Sequence, residues 1–199
     1  MQNQIANFLT NRRNILCVLE VLHHGHEIRK RVTDEFWKGL QTHLLKTRPK
    51  KASRSLIWSL GSESRGLRGE TAWLDAKHSA ARDQTQNLVY RIEYAWWVNG
   101  CDLYLGLHWT QEIKQSSRIL HNPSVAGIKS ILEHQGYEFT ETNWWWGWRY
   151  LENARFSSFD DFLIQFVQQR RDLFEAAADR FWALVQSTNR LVFNSNKGR

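Results

Sequence analysis

The sequence predicts an α+β fold: a central antiparallel sheet of about four to six strands, an N-terminal helix pair and a long C-terminal helix. Three observations carry this. Residues 88–98 and 101–109 alternate in polarity on either side of Asn99-Gly100, a dipeptide that accepts positive φ at both centres of a type I′ turn. Ile28, Val32, Phe36, Leu40 and Leu44 recur every four residues and line one helical stripe. Phe159, Phe162, Leu163, Phe166 and Val167 open a second stripe, which Leu173, Phe174, Ala177, Ala178, Phe181, Trp182 and Val185 continue.

From the N-terminus, Ile5, Phe8 and Leu9 lead into Ile15, Leu16, Val18, Leu19 and Leu22, the apolar positions of a first helix that Gly25 ends as a C′ glycine. The second helix follows, its stripe widened by Trp37 and Leu45, and the two form an αα-hairpin. Residues 46–54 hold Lys46, Arg48, Lys50, Lys51 and Arg54 with Pro49 and no acid, the composition of a loop. Residues 56–60 read as a short strand. Residues 61–69 are rich in Gly and Ser, carry Arg65 and Arg68, and read as an exposed connection. A second strand is expected over 71–76, and 75–85 is polar without a clear period. After the hairpin, 112–120 reads as a short helix. Ser124 is placed to cap a helix over 125–135 that Gly136 ends. Strands are expected over 137–140 and 144–151. Ser158 is the expected N-cap of the final helix, with Asp160 and Asp161 complementing its macrodipole, and residues 194–199 read as a frayed tail.

The Asn99-Gly100 turn sets a register for the hairpin. It pairs Val98 with Cys101, Trp96 with Leu103, Tyr94 with Leu105, Ile92 with Leu107 and Tyr90 with Trp109, all apolar or aromatic. The interleaved pairs are Trp97 with Asp102, Ala95 with Tyr104, Glu93 with Gly106 and Arg91 with His108. One face is then core, and the other carries Arg91, Glu93 and His108 among aromatics.

The chain has 199 residues and reads as a single domain over 1–199 with a sizeable core. It shows neither a bilayer-spanning apolar run nor a signal-peptide pattern, so a cytoplasmic protein without membrane contact is expected. Cys17 and Cys101 make no disulfide framework and no zinc spacing. The net charge of +7 favours an anionic partner, although charge also serves solubility alone.

Trp144-Trp145-Trp146-Gly147-Trp148-Arg149-Tyr150 is the least ordinary local sequence. Aromatic faces beside Arg suit stacking on unpaired bases or anchoring of a protein partner. Strand alternation puts Trp144, Trp146 and Trp148 on one side, expected to be core, and leaves Trp145, Arg149 and Trp97 as the exposed candidates. The basic residues Lys46, Arg48, Lys50, Lys51, Arg54, Arg65 and Arg68 suit phosphate contacts that are blind to sequence and sensitive to salt. His23, His24 and His26 invite a metal reading, but their spacing matches no known ligand set and suits a helix C-terminus instead. Asp75-Ala76-Lys77 matches the D-x-K tail of the PD-(D/E)XK nuclease core, where a carboxylate pair holds a divalent metal; Glu63 or Glu70 would have to supply the second acid. No Gly-rich phosphate loop, G-x-S-x-G elbow or Cys/His nucleophile pattern is present, and no motif calls for a cofactor.

Glu35-Phe36-Trp37-Lys38-Gly39-Leu40, then residues 88–93 with Leu103-Tyr104-Leu105-Gly106-Leu107, then Trp145-Trp146-Gly147-Trp148-Arg149-Tyr150-Leu151 follow one another in an order that resembles the C-terminal halves of a group of large prokaryotic PD-(D/E)XK superfamily proteins. The nuclease motifs of that group lie upstream of this region. The resemblance therefore implies the accessory half without the catalytic half, and no catalytic residue is carried over. The resulting expectation is a non-enzymatic module that contacts nucleic acid or a nucleic-acid-processing complex, in prokaryotic defence or mobile-element biology. The alternatives are a protein-binding inhibitor or antidote and a small metal-dependent nuclease using Asp75 and Lys77.

Overall fold

The structure, a computed structural model, describes residues 14, 23–49, 56–64, 69–78, 87–97, 100–113, 118–139 and 144–197. The first helix of the expected pair lies outside the described residues. The chain divides into two compact units, Met1–Lys38 and Gly39–Arg199, and helix α1 (Gly25–Lys46) passes from one to the other. In the first unit His24 Nδ1 meets Glu27 Oε2 at 3.2 Å one helical turn away, and the rings of Phe36 and Trp37 meet edge to face.

The second unit is the α+β body. Its sheet has five antiparallel strands in sequence order: β1 (Leu56–Ser64), β2 (Gly69–His78), β3 (Leu88–Trp97), β4 (Gly100–Trp109) and β5 (Trp145–Phe156). Residues 61–64, expected in a loose connection, extend β1, and 75–78 complete β2, because each finds a ladder partner across the pair. Helices α2 (Pro123–His134) and α3 (Phe159–Lys197) follow. No described helix is long and apolar enough to cross a membrane.

One sheet face is the core. Leu74, Tyr90, Ile92, Tyr94, Leu103, Leu105 and Leu107 are fully buried there or nearly so. Tyr90 meets Phe181 of α3 edge to face at 6.0 Å, and Tyr94 meets Phe162 at 5.7 Å. The end of α1 joins this layer: Leu40 and Leu44 are fully buried, and Gly39 lies so close to Phe174 that a Cβ would meet the ring at 2.8 Å. Leu45, expected to widen the stripe, is exposed.

The hairpin register differs from the expected one by two residues. Tyr94 pairs with Leu103, Ile92 with Leu105, Tyr90 with Leu107, Glu93 with Tyr104 and Arg91 with Gly106. The last pair before the reversal is Trp97 with Gly100, so the connection is Val98-Asn99, which lies outside the described residues. A slip of one residue would have exchanged the faces; a slip of two keeps every side chain on its expected side. The observed pairing also places the large Arg91 against Gly106 and gives Glu93 a hydroxyl partner in Tyr104, neither of which the expected register provides.

The helix ends show local chemistry at work. Asn122, rather than Ser124, caps α2: its Oδ1 accepts from Ser124 N at 2.9 Å, and Pro123 occupies the first turn, where no N–H is needed. At the other end Gly136 takes φ +72° while Tyr137 N donates to Leu132 O and Gly136 N to Glu133 O, a Schellman arrangement. The strand expected over 137–140 reduces to a single bridge, Glu138 to Trp148, and of the helix expected over 112–120 only the 3₁₀ turn Arg118–His121 is found among the described residues. Ser158 caps α3 as expected, accepting from Asp161 N at 3.1 Å. Helix α3 kinks at Gln169, where φ and ψ are −126° and 29°.

The C-terminal residues correct the expected frayed tail. Helix α3 runs to Lys197, and Asn196 is buried. Its amide accepts from Leu88 N and donates to Leu88 O, both at 3.0 Å. The ladder between β2 and β3 ends at the pair of Ala76 with Tyr90, and Asn196 takes the next backbone position along β3 in place of a strand.

Candidate functional site

The second sheet face holds the candidate site. Arg91 at its centre is 9% exposed, Glu93 7% and His108 6%. Three charged or ionisable side chains this deeply enclosed require close partners. Arg91 Nε donates to Asp75 Oδ1 at 2.7 Å and Nη2 to Asp75 Oδ2 at 2.8 Å, a bidentate pair made possible because Asp75 is directly opposite Arg91 on β2. Nη1 divides between His108 Nε2 at 3.1 Å and Glu93 Oε2 at 3.4 Å. Tyr104 donates to Glu93 Oε1 at 2.6 Å. The guanidinium carbon lies 4.5 Å from the centroid of the Trp73 ring. Four of the five guanidinium N–H groups are thereby engaged. Arg91 is thus a clamp across β2, β3 and β4, with no free edge to offer a phosphate. Its opposite neighbour is Gly106, and it reaches His108 diagonally, two residues further along β4.

Electrostatics follow from this enclosure. Burial, reinforced by the Arg91 charge, lowers the His108 pKa from its ordinary 6.5 to about 3, with only the Trp109 backbone opposing. The ring is therefore neutral near pH 7. Because Arg91 donates to Nε2, the proton resides on Nδ1. Burial raises the Glu93 pKa, opposed first by the Tyr104 hydroxyl and then by Arg91.

Strand β5 adds an aromatic array. Its register against β4 shifts between Leu107 and His108, so that Leu107 pairs with Gly147 and His108 with Trp145, leaving Trp146 as an extra residue. This bulge breaks the alternation that places Trp144, Trp146 and Trp148 together in the core. Trp145 lies edge-on to His108 at 5.1 Å and 5.3 Å from Tyr104; Trp148 lies 5.8 Å from Tyr104 on the same face. Trp146 instead meets Trp109 and Phe139. Trp144 is 42% exposed and stacks on His108, centroids 5.6 Å apart and planes 24° from parallel. The close approach of β4 and β5 requires Gly106: a Cβ there would collide with the Gly147 carbonyl.

The other sequence-derived residues are scattered. Arg149 pairs opposite Leu105, on the core side, where its Nη1 donates to Gln135 O at 3.0 Å at the end of α2 and its guanidinium lies over Tyr137. It does not join Trp145. Lys46 and Arg48 are exposed at the end of α1. Lys50, Lys51, Arg54, Arg65 and Arg68 lie outside the described residues. Asp75 is held by Arg91, and Lys77 pairs opposite Ile57. Neither expected second acid comes to Asp75. Glu63 pairs with Thr71 and Glu70 with Ser64, both displaced along β2 by more than roughly 12 Å at the ordinary strand rise. Among the described residues no group of three or more His, Cys, Asp and Glu is arranged to hold a metal ion; where Asp75, Glu93 and His108 converge, the Arg91 guanidinium is the cation. Sequence reasoning missed Trp144, Tyr104 and Trp73 as members of this site, and only the alternation of β4 pointed to Tyr104. No protein-family model, no curated protein and no solved structure matches this chain.

Proposed function

We propose that the protein is a non-enzymatic binding module for nucleic acid, and that it takes an unpaired base on the Trp144–His108 platform. One observation carries the reading: an exposed indole, stacked on an imidazole that burial and the Arg91 charge keep neutral and that Arg91 holds in place, in a chain of net charge +7. A ring with a rigid second ring behind it presents a flat π face to a base, and stacking of this kind tolerates any sequence. Lys46 and Arg48, exposed at and just beyond the end of α1, supply backbone contacts of the salt-sensitive kind. The setting in prokaryotic defence or mobile-element biology rests on the PD-(D/E)XK resemblance.

Titration of short single- and double-stranded DNA and RNA at two salt concentrations tests the proposal. Single strands should bind more tightly than duplexes, and Trp144→Ala should weaken that binding by about 1–3 kcal/mol. Absence of salt-sensitive binding removes the nucleic-acid reading, and undiminished binding by the variant removes the platform. A second reading, an inhibitor or antidote that grips another protein, draws on the exposed Ile164 and Val167 of α3. A stoichiometric protein partner recovered from the native host without nucleic acid would favour it over the first.

A further inference from the structure

We infer that two copies of this chain pair through the outer edge of β1, joining their five-stranded sheets into one continuous ten-stranded sheet. The sheet has two edges, and they differ. On β5 the outer edge is occupied where Glu138 N donates to Trp148 O at 2.7 Å and Trp148 N to Glu138 O at 2.9 Å. On β1 no strand or bridge occupies the outer side among the described residues, along nine residues that contain no Pro, Lys or Arg. Those are the residue types that ordinarily block edge pairing. Glu63 is the only charged residue of the strand.

The side chains at this edge say what covers it. Ile57 is 49% exposed and Leu60 48%, although Leu74, paired with Leu60, is fully buried. Leu60 belongs to the core face and Ile57 to the Arg91 face. A helix docked on the sheet would cover one of them; only another strand covers both while satisfying the backbone groups between them. A second copy fits. A two-fold axis perpendicular to the sheet at Ser59 sets Trp58 beside Leu60 of the second copy, and Ile57 beside its Gly61, in both directions. The indole of Trp73 lies against Gly61, where a Cβ would meet it at 2.5 Å, so Ile57 of the other copy lands next to an apolar surface. Glu63 falls outside the overlap and meets no like charge. An acidic peptide, which a chain of this net charge would otherwise attract, finds no basic residue on β1 itself.

Sedimentation and light scattering on nucleic-acid-free protein, from low-micromolar to near-millimolar concentration, test the inference. The expected result is a monomer–dimer equilibrium whose dissociation constant rises by at least about tenfold in Ile57→Lys and in Leu60→Lys. Both side chains are exposed, so circular dichroism should be unchanged in both variants. Val167→Lys, on α3, should leave the equilibrium as it is. Amide exchange along β1 in the unaltered protein should slow as concentration rises. A monomer throughout, a dimer indifferent to both edge lysines, or one weakened as much by Val167→Lys, would each overturn the pairing, as would β1 exchange that does not change with concentration.

Discussion

Replacing Arg91 with Met removes the one cation that Asp75, Glu93 and His108 share, and it keeps most of the side-chain volume. The bidentate pair to Asp75 is the largest loss, since its two contacts of 2.7 and 2.8 Å are shorter than those to His108 and Glu93. Removing one partner from a buried ion pair destabilises by about 3–5 kcal/mol, because the carboxylates stay enclosed without a counter-charge. Loss of the contact with Trp73 adds about 1 kcal/mol. At a urea m-value of about 2.5 kcal/mol/M, the unfolding midpoint should fall by roughly 2 M. The loss should also depend on pH. Arg91 lowers the pKa of both Glu93 and His108, so without it each binds a proton at higher pH. A protonated Glu93 needs no cation, and a protonated His108 supplies one. The variant's deficit should therefore be larger at pH 8 than at pH 5, by about 1 kcal/mol or more. Urea unfolding at the two pH values measures both effects. A deficit below about 1 kcal/mol, the size expected of an exposed pair, would refute the clamp, and an equal deficit at both pH values would refute its electrostatic origin.

Two further outcomes follow from the same packing. His108 has a folded pKa of about 3 against an ordinary 6.5, so between these values the unfolded chain binds the proton and the folded chain does not. Its contribution to stability is then complete above about pH 6.5 and falls with pH by about 1.4 kcal/mol per unit, with buried His78 acting in the same sense and Glu93 opposing. His108→Asn should flatten this acid limb in a series of urea titrations, and an unchanged slope would show that His108 is solvated. Asn196→Ala leaves the Leu88 N–H and C=O buried without a partner and should cost about 2–6 kcal/mol at about 1–3 per group. Hydrogen exchange at the Leu88 amide should accelerate by orders of magnitude, and exchange at the unaltered rate would return residues 194–197 to the frayed tail that composition suggests.

The sorting of side chains between the two sheet faces was legible in the sequence because it depends only on a period of two. Tyr90, Ile92 and Tyr94 bury together and Arg91 and Glu93 lie together whichever even register the hairpin takes. Apart from Val167, which is exposed, the α3 stripe and its Ser158 cap were legible for the same reason, since both are set within a few residues of chain. Register, bulges and ends were not local. Asn99-Gly100 is a strong turn signal, yet Gly100 pairs with Trp97, in the register that gives Arg91 room over Gly106 and Glu93 its Tyr104 hydroxyl. Alternation misplaced Trp148 because the extra residue at Trp146 depends on how β5 meets β4, and it misplaced Trp144 because that residue precedes β5 and stacks on His108 beside Trp145. Asn196 looked like a tail residue because its partner, Leu88, is 108 positions away. Periodicity along the chain thus determined which face each residue serves. Only the tertiary structure decided which residues meet, since a contact between strands depends on space and hydrogen-bond partners that neither strand carries alone.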